Sequence, residues 1–337
     1  MTESQADLPV IDYAVLTATD PEGNRTPSAL TECHRLFTAL RDTGFTYLQY
    51  PGSTTNDTIN TLFDLSQRFF SKPLTEKLRI VGHIDKGRGP SQGYSNPQHL
   101  ATDTASSDLK EYFGMYRDDD TDRPNQWLPD ANSQALRAGL VRFFDSCHEV
   151  VVSLLAALSE EIGIPPDALR PFLDDRNHFV ACLRYPAVGA DAFATRTRAA
   201  PHTDYGCLTL LFNDEAGGLQ VRRGDGEWRY VPRREGCAVL NVGDLLSRLF
   251  NGLLPSTMHR VVEPPVIRDN HAPDRYSIAF FAHFNADLLV KPLEALVSET
   301  HPARFEPVVA GEHVKARVRQ LHLAGNSLRE EKTVAHA

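Results

Sequence analysis

Apolar side chains in the first half of the chain recur at the spacing of an amphipathic helix. The longest such stretch runs from Ser133 to Ile162. A second helix is predicted from Thr26 to Asp42, because threonine is a good N-cap and Pro27 suits the first helical position. Further helices are predicted over residues 57–70, 73–80 and 166–173.

Two short segments among these helices have the pattern of strands. They are Pro9–Tyr13 and Phe45–Gln49, and Gly44 separates the second from the preceding helix. Glycine and proline are dense between Gly82 and Asn96, which predicts a long ordered loop.

The pattern changes at residue 178. From there on, short stretches rich in β-branched, aromatic and leucine residues are separated by turn-forming clusters such as Gly224-Asp225-Gly226. Regularly spaced short strands with turns between them are typical of a sandwich or barrel of the jelly-roll type. The predicted strands are 178–185, 207–213, 218–222, 228–231, 237–241, 256–263 and 275–284.

Together the two patterns predict an α+β fold that is predominantly β, with helices packed around a jelly-roll core. We expect a helical N-terminal region over residues 1–177 that also adds strands to the core. The β core is expected over 178–325, followed by a polar tail over 326–337. The chemistry is expected in the second half of the chain.

Composition excludes several classes of protein. The chain of 337 residues has a net charge of −9, so no basic field would attract nucleic acid or an anionic membrane. No uncharged apolar run is long enough to span a membrane, and the N-terminus lacks the pattern of a signal peptide. Five widely spaced cysteines without a C-x-x-C motif indicate reduced thiols. We therefore expect a cytoplasmic enzyme with a small-molecule substrate, and its oligomeric state stays open.

His202-Thr203-Asp204 places two metal-binding side chains at positions i and i+2. On an extended segment such side chains lie on the same face, so both can reach one ion. Two imidazoles and one carboxylate form the facial triad of non-haem Fe(II) oxygenases. The motif alone is weak, because a chain with 13 histidines contains about one such pair by chance.

A second pair of this kind, His83-Ile84-Asp85, lies in the predicted glycine-rich loop without a strand beside it. We interpret that pair as part of a surface loop. The His202 pair is followed by the strand pattern Leu208–Phe212, which supplies the scaffold that a metal site needs.

The third ligand is expected from a later strand. His259 lies in the strand pattern Ser256–Val262, and in a jelly roll a later strand returns beside an earlier one. A histidine in an apolar strand is more often a core residue, so His271 and His283 stay as alternatives at this point. His271 lies in a loop rich in proline and aspartate, and His283 is better interpreted as pocket lining.

Arg275-Tyr276-Ser277 predicts an anion site. By strand alternation Arg275, Ser277 and Phe281 lie on one face, and a guanidinium beside a hydroxyl can bind a carboxylate. The alternative is an arginine at the start of a strand that is exposed or paired with Asp274. The phenol of Tyr185 is a further candidate, as a donor to a metal-bound carboxylate.

In chain order these motifs resemble the isopenicillin N synthase-like branch of the Fe(II)- and 2-oxoglutarate-dependent dioxygenases. The resemblance covers roughly residues 8–325. The matching segments are Leu8–Asp12, Gly44-Phe45, Leu183–Pro186, Pro201–Gly206, Gly217–Val221, Val239–Asp244, Asn251-Gly252, His259–Val262 and Arg275–Ser277.

The resemblance implies a double-stranded β-helix core of the cupin-like type, with one Fe(II) bound by His202, Asp204 and His259. It also implies that Arg275 and Ser277 bind the far carboxylate of the co-substrate 2-oxoglutarate. The enzyme would then use O2 to hydroxylate, desaturate or cyclise a small organic molecule. The resemblance is to family members that act in specialised metabolism.

Three further positions follow from the resemblance, and one departs from it. Tyr185 matches a position that often contacts the co-substrate, while Asn241 and Phe281 match positions near the metal or in the pocket. Many plant relatives carry asparagine where this chain has Leu183. Isopenicillin N synthase itself has an apolar residue there and uses no 2-oxoglutarate. An Fe(II) oxidase or cyclase that needs no 2-oxoglutarate therefore stays open as the alternative function, whereas the intact triad disfavours a non-catalytic binding module.

The substrate cannot be read from the sequence. Arg198 lies in segment 187–200, which either faces the substrate or forms a solvated loop. The candidates to line the substrate pocket are Phe281, Cys207, Tyr94, Phe113 and Arg198.

Overall fold

The computed structural model describes residues 5–49, 56–81, 92–96, 108–121 and 124–320. Residues 310–320 form a helix that we name the C-terminal helix. The other α-helices are α1 (Tyr13–Leu16), α2 (Pro27–Thr43), α3 (Asn56–Phe70), α4 (Leu74–Lys77), α5 (Ala131–Glu161) and α6 (Asp244–Leu249).

Most strands of the described residues lie in the second half of the chain. They are β1 (Val10–Ile11), β2 (Phe45–Gln49), β3 (Gly93–Ser95), β4 (Glu111–Met115), β5 (Phe179–Tyr185), β6 (Val188–Gly189), β7 (Ala199–His202), β8 (Leu208–Asn213), β9 (Leu219–Arg222), β10 (Trp228–Tyr230), β11 (Cys237–Val242), β12 (His259–Val261), β13 (His271–Ala272), β14 (Arg275–Phe281), β15 (Leu289–Val290) and β16 (Val308–Val309).

The helix ends follow from local chemistry. The Thr26 hydroxyl accepts a hydrogen bond from the Ala29 amide at the start of α2. At the end of α2, Gly44 adopts a φ of 71° and its amide donates to Leu40. A side chain at Gly44 would also collide with the carbonyl of Pro255, so glycine is required for both reasons.

The strands form two facing sheets. The major sheet has eight strands in the order β1-β2-β11-β8-β14-β5-β4-β3, and the minor sheet has the order β10-β9-β12-β7. Two further pairs, β13-β6 and β15-β16, complete the described strands. Strands β1 to β4, from the N-terminal region, belong to the major sheet.

Side-chain alternation gives the major sheet two different faces. The helix-facing side carries Cys182, Leu210 and Phe280, which pack with α2, α3 and α5 in the large apolar core. The inner face carries Tyr185 and Val239, which pack against the minor sheet. The predicted architecture of helices around a β core is therefore correct.

Three local predictions need correction. Residues 166–173 are not an α-helix but turns ending in a single 3₁₀ turn, Arg170–Phe172, because Pro171 has no amide proton to donate. Tyr13 begins α1 and does not end a strand. The end of the predicted loop 82–96 forms strand β3, which pairs with β4; residues 82–91 lie outside the described residues.

In the described ranges, no helix combines the length and apolarity needed to cross a membrane. The cysteines are free, and all except Cys237 are buried.

Candidate metal centre

The minor sheet brings the two histidines of the motif together. Strand β12 lies beside β7, and His259 is the direct cross-strand partner of His202. Their ring centroids are 4.3 Å apart. The return of a later strand, expected of a jelly roll, accounts for the wide gap between these residues in the sequence.

Asp204 completes the group, two residues beyond His202. Its Oδ1 lies 3.7 Å from Nε2 of His259. One ligand atom from each of His202, Asp204 and His259 lies within 4.8 Å of the other two. That spacing leaves room for a single ion between three donors.

Both histidines are held in the tautomer that a metal needs. Nδ1 of His202 lies 2.7 Å from the carbonyl of Ala200, and Nδ1 of His259 lies 3.1 Å from the carbonyl of Thr257. Because a carbonyl can only accept, each Nδ1 carries the proton and each Nε2 keeps its lone pair for a metal.

The carboxylate is oriented by two donors on the inner face of the major sheet. Oδ2 of Asp204 accepts a hydrogen bond from the Thr209 hydroxyl at 2.6 Å and another from the Asn241 side-chain amide at 2.7 Å. These bonds leave Oδ1 directed at the histidines. Asn241, expected near the metal, therefore contacts the carboxylate ligand.

The charges of the group suit a dication. Burial, and then the nearby His259, lower the pKa of His202 to about 4, so its imidazole is neutral at pH 7. Burial opposes ionisation of Asp204, but the two histidines and the bonds from Asn241 and Thr209 outweigh it and lower the pKa of Asp204. Neutral imidazoles with an ionised carboxylate are the state that binds Fe(II).

A contact that the sequence did not suggest holds the loop between the ligands. Arg317 on the C-terminal helix donates to the Thr203 hydroxyl at 2.8 Å, and its guanidinium lies over the ring of Tyr205 at 4.9 Å. Its Nε is 3.3 Å from Asp244 at the start of α6. The C-terminal helix therefore fixes the residue that separates His202 from Asp204.

The predicted anion site is buried on the inner face of β14. Arg275 is only 1% exposed and pairs across the sheet with Tyr185, and its guanidinium lies 4.7 Å from the centre of that ring. It donates to the Ser277 hydroxyl at 3.3 Å and to the Asn213 side chain at 2.5 Å. The alternative of an exposed arginine, or one paired with Asp274, is wrong.

The rival histidines do not join the group. His271 is exposed on β13, whereas the His283 amide donates to the buried ring of His178. Burial lowers the pKa of His283 to about 4, so it is a neutral buried side chain. The other motif, His83 to Asp85, lies outside the described residues.

Three of the five residues expected to line the substrate pocket lie in the apolar core instead, namely Tyr94, Phe113 and Cys207. All three belong to the apolar core on the helix-facing side of the major sheet. Phe113 packs on Phe69, with ring centroids 5.1 Å apart, and the Tyr94 phenol donates to Glu111. The sheet therefore separates the Tyr94 and Phe113 side chains from the metal-binding group, whereas Cys207 belongs to the same apolar cluster just before β8.

The other two expected pocket residues lie elsewhere. Phe281 is on the inner face, stacked on Phe179 with ring centroids 6.3 Å apart. Arg198 is completely buried, so the alternative of a solvated loop is wrong for this residue.

Strand β4, which the sequence did not predict, adds side chains to the inner face. Tyr116 and Tyr112 pack with Phe179, Leu183 and Phe281 in a small cluster, here named the aromatic wall. A polar pair lies just before β4 in the chain, in which the Lys110 ammonium is 2.8 Å from Asp108. Asp108 also accepts from the Ala200 amide and so ties the start of β4 to β7.

Comparisons with known proteins decide the family. The 2OG-Fe(II) oxygenase superfamily matches residues 176–284, and the N-terminal domain of non-haem dioxygenases in morphine synthesis matches residues 8–130. The chain is 32% identical over 298 residues to proline hydroxylase buaE of Petromyces alliaceus, covering 85% of this chain and 92% of that protein. The chain belongs to the 2-oxoglutarate- and Fe(II)-dependent oxygenase superfamily.

Other proteins similar to this chain agree with this assignment. Homoarginine-6-hydroxylase of Arabidopsis thaliana is 28% identical over 340 residues, covering 94% of this chain and 90% of that protein. A full-length Neurospora crassa protein, solved in complex with α-ketoglutarate, superimposes with a TM-score of 0.84 at 28% identity, covering 95% of this chain and all of that chain. A second structure of the same Neurospora crassa protein, with a TM-score of 0.82, also contains thymine.

Membership settles the fold and the class of reaction. The core is a double-stranded β-helix, and the protein is an Fe(II)- and 2-oxoglutarate-dependent dioxygenase that uses O2. The alternative of an oxidase that needs no 2-oxoglutarate is not favoured. The donor set of the metal-binding group fits Fe(II).

Proposed function

We propose that this oxygenase binds Fe(II) through His202, Asp204 and His259, and binds 2-oxoglutarate through Arg275 and Ser277 beside Tyr185. One observation carries the proposal, namely that strand β8 supports both ends of the site. Thr209 on β8 holds the carboxylate of Asp204, and Asn213 on the same face holds the guanidinium of Arg275.

The distance between these two supports suits a short dicarboxylate. Thr209 and Asn213 are four residues apart on one strand, about 13 Å at the usual rise per residue. The side chains of Asp204 and Arg275 both lie in the space between the sheets and shorten this span.

The chain's own residues position the reactants. Bound Fe(II) supplies the oxidising chemistry, in which a substrate C–H bond, 2-oxoglutarate and O2 give an alcohol, succinate and CO2. Arg275 neutralises the far carboxylate of the co-substrate, and the Ser277 hydroxyl donates a hydrogen bond to it. The histidines and Asp204 present a fixed set of donors, and the enclosed space excludes bulk water.

The substrate we propose is a small nitrogen-containing molecule such as an amino acid or a nucleobase, hydroxylated in specialised metabolism. The aromatic wall offers flat apolar surface to such a molecule, and Lys110 with Asp108 offers one charge of each sign. The curated relatives named above are hydroxylases of proline and homoarginine, and the Neurospora crassa protein was solved with thymine. A cytoplasmic location without nucleic-acid or membrane partners stays a prediction from the sequence.

Turnover of a panel of free amino acids and nucleobases tests this function. The purified enzyme is supplied with Fe(II), 2-oxoglutarate and O2, and succinate and product are measured together. We expect one succinate per product, and a product that has gained one oxygen atom. A product formed without succinate would instead identify the oxidase, and a product that has lost two hydrogens would identify a desaturase or cyclase.

A further inference from the structure

A second arginine is buried close to the anion site. Arg198 is 0% exposed and Arg275 is 1% exposed, so both guanidinium groups are removed from solvent. Arg198 directly precedes β7, whose His202 belongs to the metal-binding group. It therefore lies at the junction between the metal-binding strand and the anion site.

Arg198 is anchored at only one of its nitrogens. Its Nη2 donates to the carbonyl of Pro273, two residues before Arg275, and its guanidinium lies 5.9 Å from the ring centre of Phe193. In the described part of the chain, neither Nε nor Nη1 of Arg198 has a hydrogen-bond partner, and nor does Nε of Arg275. Buried donors are rarely left without a partner, because each costs free energy when it leaves water.

The nearby carboxylates accept hydrogen bonds from groups other than Arg198. The two oxygens of Asp214 accept from the backbone amides of Ala216 and Tyr276. Asp274 accepts from the Ala187 amide and from the side chain of Arg184. Burial, and then the charge of Arg275, lower the pKa of Arg198 to about 10, which still leaves it protonated at pH 7. The charge of Asp214 acts on both arginines, but in the described residues Nε and Nη1 of Arg198 and Nε of Arg275 still lack a hydrogen-bond acceptor.

We propose that Arg198 is a second guanidinium of the 2-oxoglutarate site and donates to the far carboxylate of the co-substrate together with Arg275. This inference rests on the proposed function of the site. A carboxylate between two arginines accepts hydrogen bonds from both and offsets their mutual repulsion. The far carboxylate would thus be bound by a pair of arginines from β14 and from the loop before β7.

The test compares two ligands that differ only in the far carboxylate. The dissociation constants of 2-oxoglutarate and 2-oxopentanoate are measured by calorimetry on the Mn(II)-loaded protein, which does not turn over. The variants are Arg198→Met and Arg198→Lys, and Arg196→Met serves as a control from the same loop, where the arginine is partly exposed. If Arg198→Met does not fold, the test uses Arg198→Lys instead. Lysine keeps the positive charge but lacks the planar guanidinium that can donate two parallel hydrogen bonds.

For Arg198→Met we expect about 10- to 100-fold weaker binding of 2-oxoglutarate, the usual loss for a hydrogen bond to a charged group. Arg198→Lys should show a smaller loss of about 3- to 10-fold. Binding of 2-oxopentanoate should change less than about twofold in every variant, and Arg196→Met should resemble the wild type.

Three results would overturn the inference. Equal weakening of both ligands would mean that Arg198 only supports the fold. Unchanged binding of 2-oxoglutarate would exclude any contact, and a rise confined to the KM of the primary substrate would assign Arg198 to that substrate. Failure of the wild type itself to bind 2-oxoglutarate would instead contradict the proposed function.

Discussion

The two ends of the site differ in how many of their hydrogen-bonding groups find a partner within the chain. At the metal end, Nδ1 of each histidine has a backbone carbonyl, and Oδ2 of Asp204 has two donors. At the anion end, buried donors of Arg275 and Arg198 have no partner in the described residues. The metal end is thus preorganised by the protein, whereas the anion end keeps buried donors that the proposed ligand would satisfy.

This difference assigns separate effects to the two ends. Changes at the metal end should alter Fe(II) affinity, because the partners there orient ligands. Changes at the anion end should alter 2-oxoglutarate affinity and leave Fe(II) affinity nearly unchanged. The following variants can break or sharpen that separation.

The largest effect is expected for Asp204→Ala. The change removes the only carboxylate of the metal-binding group, so Fe(II) affinity should fall by about 1,000-fold or more, beyond the 10- to 100-fold loss typical of an outer partner. Anaerobic Fe(II) titration and succinate formation measure it. Asp287→Ala, at an exposed position, is the control. Normal succinate formation by Asp204→Ala would refute the metal assignment.

Arg275→Met should act on the other ligand. Removing one partner of a buried charged contact costs about 2–5 kcal/mol, so 2-oxoglutarate should bind about 30- to 4,000-fold more weakly. Fe(II) affinity should stay within about twofold of the wild type. Exposed Arg268→Met is the matched control. A large loss of Fe(II) affinity in Arg275→Met, with an unchanged melting temperature, would break the separation of the two ends.

Thr209→Val tests the orientation of the carboxylate ligand. Valine keeps the shape of threonine but cannot donate to Asp204, so Fe(II) should bind about 10-fold more weakly. Thr31→Val, on the exposed side of α2, should leave the affinity unchanged. An unaltered Fe(II) affinity in Thr209→Val would show that Asn241 alone suffices.

Arg317→Ala should have a smaller effect of the same kind. Arg317 acts through Thr203, which lies between two ligands but is not one itself, so we expect about 3- to 10-fold weaker Fe(II) binding. Arg319→Ala, exposed on the same helix, is the control. Adding Thr203→Val to Arg317→Ala should weaken Fe(II) binding little further, since Arg317→Ala already removes the hydrogen bond to Thr203. Full additivity would indicate separate roles.

Acidification gives the smallest effect near neutral pH. The lowered pKa of His202 means that protons compete with metal at this ligand only well below an ordinary imidazole's range. In the metal-free protein, the His202 ring should therefore stay neutral between pH 8 and pH 6 and should bind a proton only below about pH 5, as followed by NMR of that ring. A His202 ring that titrates near pH 6.5 would contradict its neutral, buried state.

Sequence patterns were sufficient where the relevant spacing is local. Asp130 caps α5, and the predicted helix from Ser133 to Ile162 matches the observed Ala131–Glu161 within two residues. The alternation of side chains along a strand likewise predicted that Arg275 and Ser277 lie on one face. The pairing of His259 with His202 was inferred only from the general return of jelly-roll strands, and the register confirms it.

The predictions from the sequence were wrong where the face on which a side chain lies depends on a strand that was not predicted. Without β4 and its pairing with β3, nothing indicated that Tyr94 and Phe113 lie on the helix-facing side of the sheet. Asn213 and Arg317 were missed for another reason. Their roles depend on contacts between distant segments, and a polar residue at a strand end or on a helix carries no local signal of such a contact.

The most direct test of the site is an anaerobic titration of the purified protein with Fe(II) and 2-oxoglutarate, followed by visible absorption. If both ligands bind at one site, a charge-transfer band appears only when both are present. The band should be absent in Asp204→Ala and should require much more 2-oxoglutarate in Arg275→Met. A wild-type protein without the band, or an Asp204→Ala variant that retains it, would contradict the account.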